Sequence, residues 1–259
     1  NTENLRISIW HESRCQKKSM SIRKIPEYLR FDHMTLIESR YAPESIINLL
    51  ENSVSAHLSI VVGGQPHAGK TELVKYLTTK IPHNEKAGVY EDNQEIHYRK
   101  INPNKKCVEF FVDDKITYPD IIKAGLRHNI DWILLSESRG PEVAHLLNSL
   151  STGSYCMTTM HLDDVRDTPD RMYNMLGSSN INERFINSIY KYIDLVILIE
   201  CDKHEKRRIK QVGFLSRENG NNQCTIIYED GSFTDEKIPE TITNKFSKKG
   251  IMNIYEKVN

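Results

Sequence analysis

The stretch "HLSIVVGGQPHAGKTELVKYLTTKI", residues 57–81, decides the fold of this chain. Its first part, residues 57–64, is a compact apolar run that predicts a buried strand, and residues 69–81 predict a helix with one apolar side. Between them, Gly64 to Thr71 match the pattern G-x-x-x-x-G-K-[ST]. The backbone N–H groups of such a loop, together with the helix N-terminus, hold phosphate oxygens. The sequence therefore predicts a phosphate-binding loop.

Within this loop the residue types assign separate tasks. Lys70 is expected to reach the β- and γ-phosphates of a nucleotide, and the hydroxyl of Thr71 is expected to bind Mg²⁺. The alternative is an ordinary glycine-containing turn with a solvated lysine. The predicted nucleotide-binding residues are Gly64, Gln65, Pro66, His67, Ala68, Gly69, Lys70, Thr71 and Glu72.

Three further apolar runs end on residues that suit hydrolysis. Glu137 ends the run 131–137, Glu91 lies near the end of the run 87–92, and His161 directly follows the run 155–160. Because the carboxyl ends of parallel strands meet at one edge of a sheet, we expect these side chains beside the phosphate loop. A solvated charge at a strand end and a structural histidine are the alternatives for these residues.

The rest of the chain alternates between apolar strands and amphipathic helices, which predicts an α/β fold with a mostly parallel sheet covered on both faces. Residues 1–25 contain two short alternating stretches that predict strands, and residues 28–41 predict a linker with one short helix. Residues 207–230 predict an antiparallel hairpin that turns at "ENGNN".

Composition limits the classes of protein that remain. Lysine plus arginine and aspartate plus glutamate number 35 each, so no overall charge favours nucleic acid. The five cysteines lack any C-x-x-C pair, which argues against a disulfide framework or a zinc site and predicts free thiols in a reducing compartment. The longest apolar run, residues 193–200, is too short to span a bilayer. Because the first residue is Asn1 and not methionine, the sequence is expected to be a fragment.

The order of these motifs resembles that of the secretion and pilus-assembly ATPases of type II and type IV secretion, which are hexameric RecA-type motors. The tight-adherence pilus and conjugative-transfer branches are the most similar. Besides the phosphate loop, the chain contains segments similar to the family's acidic box, Walker B region, histidine box and N-terminal domain end: "VYEDNQEIHY" (89–98), "LRHNIDWILLSESRGPE" (126–142), "STGSYCMTTMH" (151–161) and "SIRK" (21–24).

The resemblance implies a fold and a domain arrangement. The fold would be α/β, with a RecA-type P-loop NTPase core and the end of a small N-terminal α+β domain. Residues 1–27 would be the β-rich end of that N-terminal domain, residues 28–42 a linker, and residues 43–259 the ATPase domain.

The resemblance also implies roles for individual residues. Glu137 would be the Walker B glutamate and, with Thr71, would form the metal site. Glu91 would help to place the attacking water, and His161 would sense the phosphate or the conformation. Two arginines match those that such motors direct at phosphates, from the same subunit or from a neighbour: Arg23 and Arg127.

Further implications of the resemblance concern ligands, partners and location. The substrate would be ATP with Mg²⁺, and the partners would be further copies of the chain in a hexamer and inner-membrane components of a secretion or pilus machine. The protein would be cytoplasmic and peripheral at the cytoplasmic face of the membrane, where hydrolysis drives substrate export or pilus assembly. The sequence gives no strong nucleic-acid signal.

Several departures from the family pattern leave other functions open. Ser136 and Ser154 replace a glycine and the first histidine of the histidine box, and His67 stands where the family prefers a small residue. These changes motivate one alternative, a degenerate nucleotide-binding scaffold without significant turnover. A monomeric P-loop kinase is the second alternative, although no arginine-rich lid segment follows the core.

Overall fold

The described part of the chain contains eleven strands and nine α-helices. The computed structural model describes residues 5–113, 115–177, 182–202 and 206–257. The strands are β1 (Leu5–Trp10), β2 (Ser19–Lys24), β3 (Ile60–Gly64), β4 (Lys86–Glu91), β5 (Lys106–Phe111), β6 (Trp132–Leu135), β7 (Tyr155–Met160), β8 (Leu195–Cys201), β9 (Arg207–Glu218), β10 (Asn221–Glu229) and β11 (Ser232–Phe233). The helices are α1 (His33–Glu38), α2 (Glu44–Ser55), α3 (Lys70–Thr78), α4 (Tyr98–Ile101), α5 (Tyr118–Gly125), α6 (Glu142–Leu150), α7 (Thr168–Asn174), α8 (Glu183–Tyr192) and α9 (Glu240–Lys248).

Nine of the strands form one sheet, in the order β11-β10-β9-β8-β3-β7-β6-β4-β5. The six strands from β8 to β5 are parallel to one another, and β9, β10 and β11 continue the sheet in antiparallel pairing. The predicted α/β architecture with a mostly parallel sheet is therefore confirmed. Strand β3 lies between β7 and β8, so the loop that follows it emerges near the middle of the sheet.

Both faces of this sheet are covered. In β3, Ile60 and Val62 belong to the core on one face, where α2, α3 and α9 pack, and Val61 belongs to the core on the other face, with α5 to α8. Successive side chains of a strand point to opposite faces, so a strand buried on both sides is apolar throughout. Burial on both faces explains the compact apolar run of residues 57–64.

The antiparallel extension of the sheet depends on one tight turn. Asn219 and Gly220 connect β9 to β10 and have φ angles of 51° and 85°. Two successive residues with positive φ are typical of a type I′ turn, which matches the twist of the strands it joins. The hairpin predicted at "ENGNN" is therefore confirmed.

The first two strands form a separate two-stranded sheet in which Arg6 lies directly opposite Arg23. A buried lysine of α3 ties the exit of this hairpin to the core, because the Nζ of Lys75 donates to the carbonyl of Pro26 at 2.8 Å. The boundaries proposed at residues 27 and 43 stay predictions, and residues 1–4 of the first unit lie outside the described residues.

The direction of the parallel strands determines where the site lies. The carboxyl ends of β3, β4, β6 and β7 meet at one edge of the sheet, and the phosphate loop, Glu137 and His161 all follow these ends. Arg127 lies in a 3-10 turn, residues 126–128, that precedes β6 and so belongs to the opposite edge. Among the described residues, no helix has the length and apolar character needed to cross a membrane.

Candidate functional site

The loop between β3 and α3 has the backbone of an anion-binding loop. Gly64, His67 and Gly69 have φ angles of 149°, 64° and 97°. Residues of positive φ curl a loop so that successive N–H groups face inward, and the first N–H groups of a helix have no carbonyl partner within that helix. A side chain at Gly64 would place Cβ 2.5 Å from the carbonyl oxygen of Ile199. Glycine is therefore required where the loop passes the next strand.

His67 is a non-glycine residue of this loop with a strained backbone conformation. Its φ of 64° is in the left-handed region, which costs an L-residue roughly 1 kcal/mol and costs a β-branched residue more. We expect His67→Val to lower the free energy of unfolding by about 1–2 kcal/mol. His67→Gly should change it little, because relief of strain opposes the larger backbone entropy of glycine. Urea denaturation of the two variants measures the difference, and equal stabilities would contradict the assigned loop conformation.

Lys70, the first residue of α3, folds back over the loop. Its Nζ donates to the carbonyl oxygens of Gly64 at 2.9 Å and of Gln65 at 3.0 Å. Burial lowers the pKa of this ammonium from its ordinary value, and the negative charge of Glu137 opposes the shift. The cation therefore lies inside the loop, at the place where phosphate oxygens would be bound.

His161 connects the lysine to the predicted catalytic acid. Its Nδ1 lies 3.4 Å from the Nζ of Lys70, and its Nε2 lies 3.1 Å from an oxygen of Glu137. A lysine ammonium can only donate, so Nδ1 must accept and the imidazole proton belongs on Nε2, facing the carboxylate. The three predicted residues thus form one continuous chain of polar contacts.

A carboxylate that the sequence analysis missed lies beside Thr71. The hydroxyl of Thr71 donates to one oxygen of Glu95 at 3.2 Å. The other oxygen of Glu95 lies 3.4 Å from a guanidinium nitrogen of Arg6 and 3.4 Å from one of Arg23. Arg23 is therefore brought to the site within its own chain, and Arg6 joins it from the opposite position on the hairpin.

Glu91 points away from this site. Its side chain is buried, and one carboxylate oxygen accepts the backbone N–H groups of Glu95 at 3.0 Å and Ile96 at 2.8 Å. It lies on the same face of β4 as the core residues Ala87 and Val89, as the period of two along a strand requires. The role in placing water stays a prediction for Glu91, and its observed contacts shape the loop that presents Glu95.

The burial of Glu91 makes stability depend on pH. Desolvation raises the pKa of this carboxyl from 4.5 to about 7, so the folded state favours the protonated form. The free energy of unfolding should therefore fall as pH rises from about 4.5 to 7, by as much as about 3 kcal/mol. Glu91→Gln cannot ionise and should lose this dependence, becoming more stable than the parent at pH 8. Denaturant unfolding of both proteins at pH 5 and pH 8 tests this, and parallel pH profiles would contradict it.

A cavity of about 450 Å³ lies between the N-terminal hairpin and the sheet edge. Its lining includes residues of the phosphate loop together with Glu95, Glu137, His161, Arg6 and Arg23. Its lining contains eight lysine or arginine side chains and four carboxylates, an excess of four positive charges in a chain whose net charge is zero. The predicted residues that line it are Arg23, Pro66, His67, Gly69, Lys70, Thr71, Glu72, Glu137 and His161. Those outside the lining are Gly64, Gln65, Ala68, Glu91 and Arg127. The cavity suits a small polyanion.

Two further arginines line the cavity. The position of Arg139, two residues after Glu137, suggests from the sequence that it either orients that acid or faces solvent, whereas Arg207 gave no signal. Arg207, at the start of β9, donates from Nε and from a terminal nitrogen to the carbonyl of His67, each at 3.3 Å. Arg139 forms an ion pair with Asp92 and lies 3.9 Å from Glu137. The register of the β1–β2 hairpin could have indicated Arg6, because it faces Arg23, but only once the length of the connecting turn was known.

The chemistry of the site fits a magnesium nucleotide. Thr71 supplies a hydroxyl oxygen, and Glu95 and Glu137 supply carboxylate oxygens on the same cavity, which are ligands that Mg²⁺ prefers. The loop amides, Lys70 and the arginines supply donors for phosphate oxygens. The pairing of a P-loop with a carboxylate near the threonine is a feature of sites that bind Mg-nucleoside triphosphates.

Comparison with known families gives one match over most of the chain. Residues 4–253 match the family described as type II/IV secretion system protein. Among relatives, the chain is 26 % identical over 246 residues to an uncharacterized protein of Bacillus anthracis, covering 89 % of this chain and 55 % of that protein. It is 27 % identical over 141 residues to the type IV secretion system protein VirB11 of Bartonella quintana, covering 51 % of this chain and 39 % of the relative. The chain thus spans about half or less of the length of these relatives.

A solved structure supports the fold. The VirB11 ATPase from the Brucella suis type IV secretion system, in complex with sulphate, superposes with a TM-score of 0.59. The match covers 82 % of this chain and 71 % of that one at 22 % identity. At this identity the likeness concerns the fold alone, and it confirms the predicted RecA-type α/β core.

Proposed function

The chain belongs to the type II/IV secretion system protein family, and on that premise we propose that it is an ATP-hydrolysing motor that acts in a ring-shaped homo-oligomer, a hexamer. One observation supports the proposal most strongly. The phosphate-loop lysine, the histidine at the end of β7 and the acid after β6 form one chain of contacts, Lys70–His161–Glu137, inside a positively charged cavity.

The proposed chemistry is the attack of water on the γ-phosphate of ATP. Lys70 and the amides of the loop bind and orient the phosphates, and the helix N-terminus adds a favourable field. Mg²⁺, when bound, would be held by Thr71 and would neutralise part of the phosphate charge. Glu137 would accept a hydrogen bond from the attacking water. His161, with its proton on Nε2, holds that carboxylate and links it to the lysine.

Transfer of a phosphoryl group spreads negative charge over the γ-phosphate oxygens, and an added guanidinium is worth ~10³-fold or more in rate. Arg23 lies on the cavity of its own chain. Arg127 is exposed, and its turn precedes β6 at the edge of the sheet opposite the phosphate loop, so its role would be at the phosphates of another subunit. We therefore assign Arg23 to its own site and Arg127 to the site of a neighbour in the ring.

Mixing inactive variants tests this arrangement. Lys70→Ala subunits retain both arginines, and Arg127→Ala subunits retain the phosphate loop. Their mixture should recover phosphate release that neither variant shows alone, because one interface then combines an intact loop with an intact arginine. A mixture of Lys70→Ala and Arg23→Ala subunits should recover no phosphate release. Because Lys70 and Arg23 both act in the site of their own chain, every site in the mixture would lack one of them.

Arg14→Ala is the matched control, because Arg14 is exposed in the β1–β2 turn and does not line the cavity. It should keep the parent's activity without any partner. Full activity of Arg127→Ala on its own would remove this residue from the mechanism and would contradict its assignment to the site of a neighbouring subunit.

The cellular role proposed for this motor follows from family membership. The ring would work in the cytoplasm, at the cytoplasmic face of a membrane, on inner-membrane components of a secretion or pilus machine. Hydrolysis would drive substrate export or pilus assembly. Similarity to VirB11 of Bartonella quintana, which is described as a type IV secretion system protein, supports the secretion role.

A further inference from the structure

Three side chains meet at the carboxylate of Glu95. One oxygen accepts from the Thr71 hydroxyl at 3.2 Å, and the other lies 3.4 Å from both Arg6 and Arg23. The side chain of Glu95 is mostly buried, with 14 % of its surface exposed. The backbone of this loop is fixed by Glu91, which accepts the N–H groups of residues 95 and 96. Glu95 is therefore held between the phosphate loop and the hairpin.

The contact with Thr71 has a directional consequence. A hydroxyl has one proton and two lone pairs, so donation to Glu95 turns both lone pairs away from the carboxylate and leaves them for a cation. The negative charge beside the hydroxyl also favours a cation there. The same charge opposes phosphates and occupies the two arginines that phosphates would otherwise attract.

From this geometry we infer that Glu95 is a positioning residue that makes nucleotide binding conditional on a divalent cation. Without the cation, its carboxylate repels the phosphates and competes with them for Arg6 and Arg23. With the cation, it orients Thr71 and balances the added positive charge. The inference rests on the proposed nucleotide site and specifies which ionic form of the nucleotide that site selects.

The test is calorimetric titration of the chain with ADP, once in EDTA and once in excess MgCl₂. In Glu95→Gln, the Kd for ADP in EDTA should fall and the Kd in MgCl₂ should rise. The ratio of the two constants should therefore shrink by about tenfold or more relative to the parent, as expected when a unit charge near a multiply charged ligand is removed. A residue with a purely structural role would change both constants in the same direction.

Glu236→Gln is the control for the loss of one negative charge. Glu236 is exposed to solvent, lies far from Glu95 in the sequence and does not line the cavity. It should leave the ratio unchanged. If Glu95→Gln does not fold by circular dichroism, Glu95→Asp withdraws the carboxylate by one methylene and should change the ratio in the same direction by less. An unchanged ratio in a folded Glu95 variant overturns the inference alone. Failure of the parent to bind ADP in either buffer overturns the proposed function and this inference with it.

Discussion

Lys70→Ala is expected to reduce ATP hydrolysis to background and to weaken Mg-ADP binding by about tenfold to a hundredfold, the range for loss of a charged hydrogen-bond donor. The Lys70 ammonium is the cation inside the phosphate loop. Lys70 is also the lysine of the phosphate-loop sequence pattern, and no other lysine lies as close to the loop in the sequence. The fold should survive, because Gly64 remains paired with Ile199 in the sheet. Calorimetry with Mg-ADP and phosphate release from Mg-ATP measure the two effects.

Lys248→Ala is the matched control, since Lys248 is exposed near the end of α9 and lies outside the cavity lining. Both variants should show the parent's circular dichroism. Unchanged Mg-ADP affinity in a folded Lys70→Ala protein would contradict the assignment of the loop.

Glu137→Gln should slow turnover by about 10²–10⁴-fold while leaving Mg-ATP affinity within about threefold of the parent. The amide keeps the size of the side chain but loses the charge that holds the attacking water and the Nε2 proton of His161. An effect on the rate without an effect on binding identifies a group that acts in the transition state.

The control for this variant is Glu109→Gln, the same substitution on the edge strand β5, where Glu109 pairs with Arg99 outside the cavity. Its turnover should match the parent's. If Glu137→Gln keeps turnover within a few-fold of the parent's, the catalytic role is contradicted and Glu137 is only a solvated charge at the end of a strand.

Much of the fold followed from local patterns. The sequence predicted the strand–loop–helix unit from the phosphate-loop pattern and the other parallel strands from their continuous apolar runs. It predicted the β9–β10 hairpin from its turn residues. Each of these signals depends only on residues that are neighbours in the sequence. Helix α9 was not predicted. It is a short helix whose Ile242 and Phe246 are buried, and Lys245 pairs with Asp194, 51 residues earlier. Tertiary contacts of this kind have no local signature.

Strand ends determined most of the site residues that were predicted, and Arg23 was the exception because its assignment rested on the family resemblance. Lys70, Thr71, Glu137 and His161 come together because parallel strands share one edge. In the acidic box, residues 89–98, the predicted acid Glu91 faces the core and Glu95 faces the site instead. Alternation along β4 could have indicated that Glu91 faces the core with Ala87 and Val89, but the direction of Glu95 depends on irregular backbone after the strand.

The proposed motor can be tested by phosphate release from ATP by the unmodified chain, followed over a range of protein concentrations with and without Mg²⁺. We expect hydrolysis that requires Mg²⁺ and a rate per subunit that rises with concentration as the ring assembles. A rate per subunit independent of concentration would contradict assembly of the ring over that range of concentrations. Tight Mg-ATP binding without phosphate release at any concentration would contradict the motor and would identify a nucleotide-binding scaffold instead.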